Sequence, residues 1–168
     1  METIVNKVAE SGIVTVDISG YLPDDISFKD FDLKPFLFRE MILKEKDFRQ
    51  SMQEHDWAQY GQMNVSVFCS VDAIVPVWAY MLVAAGLYAH AISIFYGTKE
   101  EHKKLLTIEN IKKIDFREFT DKRVVLKGCG DVLIPEYAYV TASAILLPVV
   151  KSLMYGEPCS TVPIFKRK

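Results

Sequence analysis

The chain has 168 residues, half of them apolar and a quarter charged, which is enough apolar mass for a folded core. Its net charge of −2 comes from 20 basic and 22 acidic residues, and the body of the chain carries no basic stripe of the kind a nucleic-acid binder needs. The basic cluster Lys166 to Lys168 reads as a solvated terminus.

In chain order, "GIVTVDISGYLPDD" is expected to form a strand and a turn, as an edge strand or a hairpin. "FREMILKEKDFRQSMQEHD" reads as an amphipathic helix. "NVSVFC" is a short β-prone run ending at Cys69, and a turn follows it. Pro76 then opens the helix-compatible run "PVWAYMLVAAGLYAHA", and "ISIFYG" returns as a strand. In "TKEEHKKLLTIENIKKIDFREF", Thr98 and Glu101 make a capping-box pattern. Leu105, Leu106, Ile108, Ile111 and Ile114 follow it at helical spacing. "RVVLKGC" is a strand ending at Cys129, Pro135 opens a second helix that Pro148 kinks or stops, and "SLMYG" is a final strand.

Ala73 to Thr98 lacks Asp, Glu, Lys and Arg and is long enough to span a membrane. Pro76 and Gly86 interrupt it, "AISIFY" favours a strand, and its counterpart carries Glu136 and Lys151. The expectation is therefore no membrane segment. Three cysteines and a mixed N-terminal stretch, "METIVNKVAESG", point to a reducing cytoplasm with free, metal-bound or reactive thiols.

One phrase occurs twice. "CSVDAIVPVWAY" (Cys69 to Tyr80) is echoed by "CGDVLIPEYAY" (Cys129 to Tyr139), and "SIFYG" is echoed by "SLMYG" at the same distance downstream. "KDFRQ" (Lys46 to Gln50) and "IDFRE" (Ile114 to Glu118) extend the match upstream. Each copy reads strand, helix, strand, a βαβ unit with a right-handed crossover. The fold expected is α/β: two tandem pseudo-symmetric βαβ units forming a mainly parallel sheet with helices on both faces, plus the N-terminal strand or hairpin. It fills a single domain, 1–168, with internal repeats about 46–97 and 114–156.

Ligands of open parallel sheets bind beyond the carboxyl ends of the strands. Cys69 and Cys129 end corresponding strands, and Cys159 follows the last strand in "YGEPCSTVP". If the two halves pack with those strands side by side, the three thiols share one edge. Helix starts there favour thiolate, and thiolates suit zinc, copper(I), iron and iron–sulfur clusters. Asp72, Asp131 and His55 are secondary candidates for that site. Against this stands the ordinary reading, in which free cysteines are buried as small apolar groups and Asp72 and Asp131 cap turns. His55 and His90 then meet helix ends, and His102 is solvated in a charged helix. No phosphate-binding loop, dinucleotide fingerprint or nucleophile triad is present.

Three functions follow. The first is a thiolate-lined site at the carboxyl edge that binds a metal or iron–sulfur species or handles sulfur. The second is a non-enzymatic homodimeric interaction module whose cysteines are structural. The third is a thiol enzyme, for which no nearby base is evident. "REMILKEKDFR", "EHDWAQY", "CSVDAIVPVWAYML" and "YGEPCSTVPIFKRK" resemble the bacterial family catalogued as domain of unknown function 2480, across nearly the whole chain. The resemblance implies a cytoplasmic protein working beside iron–sulfur assembly proteins, and it assigns no role to Cys69, Cys129 or Cys159.

Overall fold

A computed structural model describes residues 12–128, 130 and 132–168. The described chain folds as α/β in two compact units, one made of residues 23–103 and the other of residues 12–22 with 104–168. We call them the inserted unit and the split unit. The boundary between them falls inside a helix, after Lys103.

In the inserted unit, strands β2 (Phe28–Asp32), β3 (Asn64–Phe68) and β4 (Ser93–Tyr96) form an all-parallel sheet in the order β2-β3-β4. Its helices are α1 (Glu45–Glu54), α2 (Val77–Leu87) and the start of α3 (Lys99–Lys112). In the split unit, β1 (Ile13–Val16), β5 (Arg123–Lys127) and β6 (Ser152–Glu157) run parallel, and β7 (Ser160–Lys166) returns antiparallel on β6. Helix α4 (Glu136–Leu146) connects β5 to β6.

Burial explains these strands. Val65 to Val67 and Val124 to Leu126 are buried at consecutive positions, as central parallel strands covered on both faces must be. Ala138, Ala142 and Leu146 make one buried stripe of α4, and Ala79, Val83 and Leu87 make the same stripe of α2. Alanine at the first place of each stripe, and again at Ala142, lets the helix axis approach its sheet. Pro76 and Pro135 stand at the N-caps of α2 and α4. Pro148 lies just beyond α4, which ends at Leu146. Thr98 and Glu101 exchange the two bonds of a capping box at the start of α3, at 2.8 and 3.2 Å.

Several expectations need correction. The parallel strands are divided between two sheets: β3 pairs with β2 and β4, while β5 pairs with β1 and β6. The strands ending at Cys69 and Cys129 are therefore not neighbours in one sheet. The helix expected from Phe38 starts only at Glu45. Phe38 to Ile42 instead closes a tight hairpin, because Ile42 bridges to Ile74. "KDFRQ" lies in α1, whereas most of "IDFRE" lies in a 3₁₀ turn (Phe116–Phe119), so the two strings are not structural counterparts. The place of that turn before β5 is taken before β3 by the 3₁₀ turn Trp57–Tyr60. Lys166 to Lys168 are exposed, in keeping with a solvated terminus, while Lys166 ends β7 and Arg167 bonds Asp121 at 2.6 Å. Among the described residues, no helix is long and apolar enough to cross a membrane.

Candidate functional site

The carboxyl ends of β5 and β6 open onto a cavity of about 790 Å3 in the split unit. Leu126, Leu153 and Met154 line it from β5 and β6, Ile164 from β7, and Tyr139, Val140 and Ser143 from α4. This is the edge where parallel sheets hold ligands, and the volume falls in the range of binding clefts.

Two tyrosines frame it. Tyr139 and Tyr155 meet edge to face with ring centres 5.3 Å apart. Tyr139 donates its hydroxyl to the carbonyl of Lys127 at 2.9 Å, and Tyr155 donates to that of Gly128 at 3.2 Å. Both hydroxyls thus satisfy the strand end. A Cβ on residue 128 would lie 2.6 Å from Cζ of Tyr155, so only glycine lets that ring close over the backbone. Asp17, directly after β1, bonds Lys127 at 2.9 Å. Its pKa is lowered to about 2, by hydrogen bonds from Ser19 first and from Lys127 next. Glu136, exposed at the first residue of α4, is the charged group among the described cavity-lining residues.

The mouth of the cavity is apolar. Leu133 is 94 % exposed and Val140 69 %, and Val132 and Ile164 are also more than half exposed. Isolated exposed apolar side chains are ordinary, but a contiguous group around a cleft marks an interaction surface.

The inserted unit has its own carboxyl edge. Tyr80 and Tyr96 meet edge to face at 5.1 Å, as Tyr139 and Tyr155 do. Burial works against the Asp32 charge, yet the Ser70 hydroxyl and the N–H groups of Lys34 and Ser70 hold its carboxyl below the ordinary value. Burial, followed by Tyr96 and the nearby Cys69, pushes the Tyr80 phenol up. Sequence reasoning missed Asp17 and Asp32. The available signal was an aspartate placed at the end of each N-terminal strand of its sheet.

The thiol candidates do not form a metal site among the described residues, where no group of three His, Cys, Asp or Glu is placed to hold an ion. Cys69 is half-buried and donates to the carbonyl of Val71 at 3.4 Å. Cys159 is exposed in the β6–β7 turn, and Asp72 is exposed. Cys129 and Asp131 lie outside the described residues. The donor set of zinc, iron or an iron–sulfur cluster is thus not assembled by the described residues.

His55 belongs to an aromatic cluster, with its ring 4.7 Å from Trp57 and 5.3 Å from Phe31. Its Nε2 is buried without a hydrogen-bond partner in the structure. Desolvation lowers its pKa, Asp56 opposes that, and Lys29 adds to it. The unfolded imidazole, with a pKa near 6.5, then takes a proton before the folded one does. The contribution of His55 to stability is therefore fully present above pH 6.5 and is lost as the pH falls below it. Thermal melts of the native chain and of His55→Phe should diverge on acidification, with the native chain losing more. Parallel curves between neutral and mildly acidic pH would contradict this placement of His55.

His102 corrects the solvated reading, because its side chain is 1 % exposed. Its ring stacks on Phe95 at 5.0 Å and meets the edge of Phe28 at 5.4 Å. Nδ1 lies 3.2 Å from Oγ of Ser66 and Nε2 lies 2.9 Å from Oγ of Ser93. Ser93 donates to Oδ1 of Asn64 at 2.7 Å, so it receives from His102. In the neutral imidazole this puts the proton on Nε2 and makes Ser66 the donor to Nδ1. Asn64 passes the direction on to Ser27 at 3.2 Å, and Ser27 to the carbonyl of Asp24 at 2.6 Å. The result is a one-way chain of donors that ties β3, β4 and α3 together.

A family model matches residues 2–167. The chain belongs to the family described as "Protein of unknown function (DUF2480)". No curated protein and no solved structure matches it.

Proposed function

We propose that this DUF2480 protein is a non-enzymatic interaction module, whose split unit receives apolar side chains of a protein partner in the cavity beside α4. The supporting observation is the mouth. A small-molecule cleft would bury its apolar lining and leave a polar rim, whereas here Leu133 and Val140 project outward around the opening. Covering that rim takes a macromolecular surface, with an apolar centre and a polar border. The tyrosine hydroxyls brace the strand end and are not aimed at a reacting group, which favours binding over catalysis. The finer reading of an iron–sulfur or sulfur-handling site draws no support from the described residues.

The test is a fluorescence titration of dilute protein with the apolar dye 8-anilinonaphthalene-1-sulfonate. The native chain should bind it saturably at one site. Val140→Asp, a change at an exposed helix position, should weaken that binding at least about tenfold, equivalent to about 1.4 kcal/mol. Dye binding that is absent, or indifferent to Val140→Asp, would overturn the proposal.

A further inference from the structure

We propose that the partner is a second copy of this chain, whose hairpin Phe38–Ile42 seats in the cavity of the split unit; this rests on the interaction-module reading above. The hairpin is built to present itself. The N–H of Phe38 bonds the carbonyl of Ile42 at 2.8 Å, and the N–H of Met41 bonds that of Phe38 at 3.2 Å. The central residues Arg39 and Glu40 both have left-handed φ angles, 51° and 56°. Such turns ordinarily take Asn and Gly, so two long charged side chains here hold a conformation their backbone disfavours. Backbone strain of this kind persists where the surroundings fix it and concentrates at functional surfaces. The fixing contact comes from Ile74, which donates its N–H to the carbonyl of Met41 at 3.3 Å.

The turn leaves Met41 63 % exposed, Ile42 more than half exposed and Ile74 83 % exposed. These form an apolar knob, matching in character the apolar lining of the cavity. Charge agrees with the pairing. Glu40 is held by Lys34 at 3.3 Å, while Arg39 stands at the tip and Lys44 lies 3.6 Å over the Phe38 ring. The knob is therefore net basic. At the cavity, Lys127 is paired with Asp17, and among the described lining residues the charge is the Glu136 carboxylate. A basic-flanked knob and an acid-rimmed cavity on one chain are complementary between copies. Such mutual docking covers both apolar surfaces, and no foreign partner bound at one of them would do so. Two contacts related by a twofold axis would close a dimer.

Sedimentation velocity on the full chain and two variants tests this. The native protein should self-associate to twice the chain mass. Met41→Asp removes the knob and keeps the cavity; Val140→Asp blocks the cavity and keeps the knob. Each variant alone should sediment as a monomer. An equimolar mixture should recover a two-chain species through its one intact contact. Arg39→Glu should weaken native association, and combining it with Glu136→Arg should restore it. A monomeric native chain overturns the inference, and so does a Met41→Asp variant that self-associates as well as the native chain. The dye titration separates the two levels. A monomer that binds dye in a Val140-dependent way keeps the interaction module and removes only the second copy. A chain that binds no dye in dilute solution removes the module itself.

Discussion

Replacing His102 by leucine is expected to lower the stability of the protein by about 3 kcal/mol, with each hydroxyl it strands costing about 1–3 kcal/mol. The imidazole is the one member of the donor chain that both accepts from Ser66 and donates to Ser93. Leucine matches much of the volume between Phe28 and Phe95 but offers neither function. Ser66 is fully buried, so its hydroxyl then has no water to turn to. Adding Ser66→Ala to His102→Leu should recover part of the loss, because removing both partners is cheaper than stranding one. Chemical denaturation of the three proteins measures this. A His102→Leu variant as stable as the native chain would show that the buried chain carries no net stabilisation.

The second large effect is expected at Gly86, in the last turn of α2. Alanine in a helix is ordinarily better than glycine by about 1 kcal/mol. Here a Cβ would fall 2.4 Å from Cε2 and Cζ2 of Trp57, well inside contact. The indole cannot easily yield. It stacks on Phe31 at 5.7 Å and donates Nε1–H to the carbonyl of Met52 at 3.1 Å. Overpacking of this kind costs about 1–3 kcal/mol or more, so Gly86→Ala should be net destabilising by about 2 kcal/mol despite the better propensity. In a Trp57→Leu background the same change should become neutral or favourable. The split unit resolves the same packing with other volumes: Phe116 stands where Trp57 does, and Ile145 packs on that core where the inserted unit has Gly86.

Much of this was legible in the sequence because it is local. Runs such as "NVSVF" and "RVVLK" announce strands buried on both faces, and Pro76, Pro135 and Thr98 announce helix starts. Sheet partners are not local. Whether β3 lies beside β5 or beside β2 and β4 depends on contacts between distant segments, and Cys69 and Cys129 were grouped by assuming the former. Phe38 and Ile42 share helical spacing with the helix that follows, yet the bridge from Ile42 to Ile74, far along the chain, fixes a hairpin there. His102 sits among lysines and glutamates in sequence, and only the burial of that face of α3 shows that it points at two serines. The Cys-to-Pro corner points to the carboxyl edge on which the cavity lies, and among the described residues mainly apolar side chains line it.

We place the functional surface of this protein at the cavity on the carboxyl edge of the split unit. Amide chemical-shift mapping during titration with 8-anilinonaphthalene-1-sulfonate tests it most directly, because it reports place and not only affinity. Shifts concentrated at Gly128, Val132 to Ile134, Val140, Ser143 and Tyr155 are the expected result, with α1 and β2 silent. Shifts confined to the inserted unit, or scattered without a focus, would contradict it.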